Sequence, residues 1–431
     1  MNQAIEKFID DTMDRQIADL QSLIRIPSVS RGEPKPGMPY GENVYNALMR
    51  AEQIARELGF EKVFDVEKRC GVIEYGEGDE LVAVMAHLDV VPEGTGWRYP
   101  PYGAEIHDGA MYGRGTADDK GAAVSALYAL AAIKQSGLKM KRRVRILLGC
   151  DEERGSTGMM RYKEVEGEPD LAFTPDASYP LVNSEMNIMH ITYKKQYPCA
   201  VSARVGTAGN VIPAQAQATA AGQVFEAIGK EGHASQPEHA DNALLKLIGL
   251  LSQAYLPAED GKTFQGLAQK LCGTCHGEGL GVDLSDASGR LTLAPTLLNA
   301  GKEGVDLTFD IRYPASFSCE ELLLRLTAAM GEIGFAEKEH SDSRGHYIAP
   351  ETELVSTLMS VYGALSGDTA AAPISIGGGT YAREFANAVA TGVTRPDRPD
   401  LCHVANENIL LSEIAFNTRF MAESLRRLAA E

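Results

Sequence analysis

Basic residues are scarce in this chain. Forty-one Lys and Arg stand against 59 Asp and Glu, a formal net charge of -18. That shortage argues against a nucleic-acid backbone or an anionic membrane surface as partner. Long apolar runs are missing too: no continuous apolar stretch approaches the ~20 residues that a spanning helix needs. The opening MNQAIEKFIDDTMDRQIADL is amphipathic with acids spread along it, and lacks the basic start and apolar core of a signal peptide. Cysteine is sparse, seven in 431 residues, an odd number scattered in apolar contexts such as LLGCDEE and RCGVI. Buried thiols fit this better than a disulfide framework, and the expected location is the reducing cytoplasm. There is no internal repeat or low-complexity tract. What remains is ordinary globular composition, 44% apolar and 23% charged, in a chain long enough for more than one domain.

The first part alternates strand and helix signals. GVIEYG and LVAVMAHLDVV read as strands around the turn EGDE, AAVSALYALAAIK (122–134) as a helix, and RVRILLGC and LAFTPD as continuous apolar strands of the kind buried on both faces. Near Asn187 the texture changes to period-two alternation, with glycine-rich strands and one helix at about 242–255. After HYIAP, the stretches TELVSTLMSVYGALSG and LSEIAFNTRFMAESLRRLAA return to long amphipathic helices. The expected architecture is α/β. Residues 1–186 and 348–431 form a discontinuous catalytic domain, and 187–347 form an inserted α+β domain.

Several residues of one chemical kind stand where apolar strands run out. His87 and Asp89 end one strand and share a face as i and i+2. An acid so placed can hold an imidazole in one tautomer, as metal-binding histidines require. Asp118 and Asp119 lie side by side in GRGTADDKG; adjacent carboxylates repel, and a cation would keep both ionised. Asp151, Glu152 and Glu153 follow RILLGC, Asp176 closes LAFTPD, and His403 lies in LCHVANE. In α/β sheets ligand crevices lie at the carboxyl ends of strands. Histidine plus carboxylates converging there describe a metal site of nitrogen and oxygen ligands, and two metals would need one carboxylate to bridge them.

The stretches HLDVVPEGTGW, YGRGTADDKG, DEERGSTG, FTPDASYP, NVIPA, GHASQPEHADNA, DIRYP, GGGTYAR and CHVANENI occur in that order. Together they resemble the PepV-like dipeptidase branch of the co-catalytic zinc metallopeptidases, over nearly the whole chain. The resemblance implies a zinc-peptidase-like α/β/α sandwich with an inserted lid, and two Zn2+ per chain, with Mn2+ or Co2+ as alternatives. Asp118 would bridge the ions, His87 and Asp176 completing one site, Glu153 and His403 the other. Glu152 would be the general base that deprotonates the bridging water, Asp89 would orient His87, and the Asp118–Asp119 peptide would be cis. From the lid, His233 would polarise the scissile carbonyl, and Arg312 with Asn210 would grip the terminal carboxylate of a small peptide. Gly378, Gly379, Thr380 and Arg383 would line the pocket. The segment between NVIPA and GHAS is shorter than the enlarged lid of such dipeptidases, which leaves monomer and homodimer both open.

Other motifs weigh less. CGTCH (272–276) matches the haem-attachment pattern C-x-x-C-H, and a redox or haem protein built on Cys272 and Cys275 is the alternative of a different class. An N-acyl amino acid deacylase or desuccinylase on the same scaffold is the alternative within the family. GGGTYA lacks the Lys-Ser/Thr of a phosphate loop. KMKRRVR (139–145) reads as the solvated lead-in to a strand. His107, His190, His239, His276, His340 and His346 carry no supporting pattern and read as surface or loop residues.

Overall fold

The computed structural model describes residues 2–30 and 34–430, which form two compact units. The first unit comprises Met1–Asn183, Ile348–Ile374 and Thr380–Glu431. Its sheet places Lys62–Val66, Cys70–Tyr75, Arg143–Gly149, Leu81–His87, Leu171–Ser178 and Ala388–Thr394 side by side in that order. The last four run parallel, and the first two join antiparallel. Leu81–His87 is buried at every position, as its unbroken apolar run requires. His87 is paired in register with Gly149, so both strands end at one level and the acids after Gly149 emerge beside the histidine.

Helix Lys120–Ser136 packs on Leu81–His87 and Arg143–Gly149 and against the helices Gln3–Ile24 and Leu411–Leu425. It is buried from Lys120 to Ile133, and its alanines let those neighbours approach closely. Two hydrogen bonds cross this packing: Tyr128 Oη donates to Asp19 Oδ2 at 2.6 Å, and Gln16 Nε2 to Thr418 Oγ1 at 2.8 Å. The KMKRRVR stretch is not solvated throughout. Arg145 is buried on its strand, because Glu74 on the neighbouring strand (2.7 Å) and Glu166 (2.9 Å) neutralise it.

The second unit comprises Ser184–Tyr347 and Ser375–Gly379. Its antiparallel seven-stranded sheet runs Gln223–Ile228, Gln215–Ala220, Ser202–Val205, Thr292–Gly301, Gly304–Tyr313, Asn187–Lys195, Ala336–Ser343. Gln215–Ala220 alternates exposed and buried side chains, the mark of a sheet covered on one face. Three helices stand in this unit, Ala243–Gln253, Ala258–Leu271 and Cys319–Gly331, where the sequence reading expects one. In Ala258–Leu271 the glycines at 261 and 266 mask a helical stripe of buried Phe264, Leu267 and Leu271. In Cys319–Gly331 the stripe is Leu322, Leu326, Ala329 and Met330, and Ser318 caps its start by accepting the Glu321 N–H. The strip 375–379 groups with this unit although its flanks belong to the first: Ser375 donates to the Ser288 carbonyl, and Arg312 Nη1 donates to the Gly377 carbonyl at 2.5 Å. Among the described residues no helix is long and apolar enough to cross a membrane.

Candidate metal centre

The first unit brings five of its strand-end residues together. His87, Asp118 and Asp176 offer one ligand-type atom each, all within 4.8 Å of one another, and so do Asp118, Glu153 and His403. Asp118 belongs to both groups. Its Oδ1 lies 2.9 Å from His87 Nε2, and its Oδ2 lies 2.9 Å from His403 Nε2. His403 Nε2 is also 3.1 Å from Glu153 Oε1, and His87 Nε2 is 3.7 Å from Asp176 Oδ2. The two groups differ in access: the His87 side chain is 1% exposed and that of His403 55%.

The peptide between Asp118 and Asp119 is cis, and the two carboxylates have separate partners. Asp118 faces the histidines, whereas Asp119 Oδ2 accepts the backbone N–H of His87 at 3.1 Å. The three acids after Gly149 also divide. Asp151 accepts from the N–H and hydroxyl of Thr157 and from the Gly158 N–H (2.9 Å), and so caps helix Thr157–Glu166. Glu152 and Glu153 remain, on a short 3-10 turn, Glu152–Arg154. Asp89 holds that turn: its Oδ1 accepts the Glu152 N–H at 3.1 Å and its Oδ2 the Glu153 N–H at 3.2 Å. His87 Nδ1 lies 2.9 Å from the Asp89 main-chain oxygen and 3.5 Å from its carboxylate. Asp89 thus touches His87 first through its backbone, and its carboxylate grips the Glu152–Glu153 segment.

Electrostatically the cluster has more buried acid than base. Burial pushes the Asp176 carboxyl well above the usual carboxylate range, and Glu152 up to about 8. Burial also works against ionised Asp118, but hydrogen bonds to His403 and His87 hold it below its ordinary value. The bonds to Asp118 and Glu153 raise His403 to about 10. Two histidines, the shared Asp118, Asp176 and Glu153 are a nitrogen and oxygen donor set suited to divalent cations, whose charge would offset the acid surplus. The residues therefore fit the ions that the sequence implies.

Tyr381 lies in the GGGTYAR stretch expected to line the pocket, but the sequence gives it no role of its own. Its ring stands edge-on to His87 with centroids 6.4 Å apart, fully buried. Gly149 makes room for it, since a Cβ there would lie 1.9 Å from the phenol oxygen. Thr380 caps the adjoining turn Tyr381–Glu384, which contains Arg383, by accepting the Ala382 N–H at 3.1 Å.

The remaining candidates lie in the second unit. In the two-stranded ribbon Val211–Ile212 and Gly232–His233, His233 pairs with Val211, and just beyond it the Asn210 carbonyl accepts the Ala234 N–H at 3.0 Å. His233 is exposed, its Nδ1 2.7 Å from Ser235 Oγ. Arg312 is 4% exposed and donates to both oxygens of Asp310, from Nε at 2.7 Å and Nη2 at 2.8 Å. Its Nη1 donates to the carbonyl of Gly377, next to Gly378 and Gly379. His190, read from the sequence as a surface or loop residue, sits on strand Asn187–Lys195 with Nε2 3.0 Å from Asp310 Oδ2. Its partner was visible as the i-2 neighbour of Arg312 in DIRYP. The C-x-x-C-H run gathers no metal-type group among the described residues: Cys272 donates to the Leu245 carbonyl, and His276 Nδ1 lies 2.7 Å from the Leu291 carbonyl.

Comparison with known proteins adds to this geometry. Residues 83–427 match peptidase family M20/M25/M40. The Bacillus subtilis (strain 168) protein YtjP is 33% identical, covering 96% of this chain and 97% of its own. The Beta-Ala-Xaa dipeptidase of Lactobacillus delbrueckii subsp. lactis is 29% identical over 97% of each. Among solved structures, the dipeptidase Dug1p of Saccharomyces cerevisiae shares the fold with a TM-score of 0.62 at 16% identity, covering 98% of both chains. Human carnosine dipeptidase 1 does so with a TM-score of 0.60 at 15% identity, over 98% of both.

Proposed function

The chain belongs to peptidase family M20/M25/M40, and on that premise we propose that it is a metal-dependent dipeptidase working with two divalent cations of the zinc class. The observation that carries this reading is Asp118, whose two oxygens each face a different histidine. His87, Asp118 and Asp176 would hold one ion, and Asp118, Glu153 and His403 the other. Cations held there would supply Lewis-acid chemistry, lowering the pKa of a bound water and polarising the scissile carbonyl.

The side chains do the rest. Glu152 is a carboxylate beside the ligands with no ligand duty of its own. It takes the proton from the attacking water and returns it to the leaving amine. Asp89 fixes the backbone of Glu152 and Glu153 through its two carboxylate oxygens, and so sets base and ligand together. We assign to Asn210, His233 and Arg312 contacts with the peptide, His233 at the carbonyl and Arg312 at the terminal carboxylate. Gly378, Gly379, Thr380 and Arg383 are assigned to the same substrate.

The names of the relatives point to dipeptides, including those with amino-terminal β-alanine. A hydrolysis screen over dipeptides, tripeptides and N-acyl amino acids, with and without chelator, tests the assignment. Dipeptides should be cleaved, tripeptides largely refused, and the activity lost on chelation. Preferential cleavage of N-acyl amino acids would move the assignment to a deacylase, and chelator-resistant cleavage would overturn it.

A further inference from the structure

Glu407 lies four residues after His403 and is 0% exposed. Its Oε1 accepts three main-chain N–H groups, from Gly115 (3.0 Å), Ala117 (2.9 Å) and Asp118 (3.1 Å). Its Oε2 accepts from Arg114 Nη1 at 2.6 Å, and its own carbonyl accepts the Gly113 N–H at 3.0 Å. The loop from Gly113 to Asp118 is thus folded around one side chain. Gly115, at φ +93, lets the loop turn its N–H inward, a conformation that a side chain would strain. Converging amides are an arrangement that fits a carboxylate anion. Arg114 is 1% exposed, its guanidinium 5.5 Å from the ring centre of Trp97.

Burying a charged pair is a poor way to stabilise a loop, since apolar side chains of the same volume often do as well or better. What the pair supplies is direction. The contact reaches the N–H of Asp118 itself, and it joins segments 289 residues apart in the chain, one bearing Asp118 and the other His403. We propose that Glu407 is a positioning residue of the metal centre. It fixes the backbone from which Asp118 presents its two oxygens, and ties that backbone to the segment that carries His403. Arg114 donates to the other carboxylate oxygen and so holds Glu407 in this orientation.

This inference rests on the two-metal reading, and the experiment separates the two. Zn2+ is titrated into chelator-stripped full-length protein by calorimetry, for wild type, Glu407→Gln, Glu407→Asp and the double variant Arg114→Met with Glu407→Gln. Folding is followed by circular dichroism. Glu407→Gln presents an amide nitrogen either to the three N–H groups or to the guanidinium, so one set is repelled. The double variant removes the stranded charge and keeps the experiment open if the single variant does not fold. Affinity for at least one Zn2+ should fall ~10–100-fold in the glutamine variants, with less loss in Glu407→Asp. kcat should drop while KM for a dipeptide changes little. Glutamine variants that bind two Zn2+ at wild-type affinity would overturn the proposal whatever their unfolding temperature, and so would failure of both to fold. A wild type that does not bind two Zn2+ would contradict the two-metal reading, and this inference with it.

Discussion

Asp118 in the first unit and Asp310 in the second are both buried aspartates with a histidine Nε2 about 3 Å from a carboxylate oxygen, 2.9 Å for His87 and 3.0 Å for His190. They differ in what completes the contact. Asp310 takes a bidentate bond from Arg312, a permanent cation. Asp118 takes a second histidine, His403, and has Asp176, Glu153 and Glu152 around it. Burial opposes ionisation of both, and both are held below the ordinary carboxylate range by their basic neighbours. At Asp310 the arginine closes the charge balance. At Asp118 the surplus falls on its neighbours, and burial drives Asp176 and Glu152 upward. The same geometry is therefore a neutralised ion pair in one place and an acid-rich donor set in the other.

That contrast can be broken at either end. The largest effect is expected for Asp118→Asn, because both ligand groups share it: the two ions should weaken together, read by elemental analysis, and dipeptide turnover should fall below detection. His403→Ala should remove only the exposed group's ion. In the wild type, dialysis against a weak chelator should release one ion well before the other; simultaneous release would erase the distinction drawn from exposure. Glu152→Gln should keep both ions and lose ~10²–10⁴ of turnover, the range of general-base help; loss of metal in this variant would mean that Glu152 is a ligand.

The smallest effect on the metal centre is expected for Asp310→Asn. Metal content should not change, while stability at neutral pH should fall by about 2 kcal/mol, as for a hydrogen bond to a charged group. The folded pKa of Asp310 is depressed, so its contribution is present above the unfolded aspartate value of about 3.9 and fades as pH falls through the lower folded value. Unfolding temperatures of wild type and variant should converge in acid. A gap that widens there would contradict the ion-pair account.

Much of the first unit was legible in the sequence, for one reason. Parallel strands buried on both faces leave unbroken apolar runs, so an acid or histidine at the end of LVAVMAH, RILLG or LAFTP stands out. The division of labour among neighbouring acids was not legible. Nothing in DEE separates Asp151, which caps a helix, from Glu152 and Glu153, because the cap depends on where Thr157 and Gly158 fall. Asp119 and Asp118 differ in the same way. The contacts of Glu407 and Tyr381 were not legible because their partners lie hundreds of residues away in the chain. In the second unit, glycines blurred the periodicity of Ala258–Leu271, and the strip 375–379 carries no sequence mark of the unit it joins.

Asp118 is proposed to serve two cations. Titration of Zn2+ into chelator-stripped wild type and Asp118→Asn, side by side in a calorimeter, tests it most directly. The account predicts two ions per chain in the wild type and loss of tight binding at both sites in the variant. A wild type that stops at one ion, or a variant that still binds two with undiminished affinity, would contradict it.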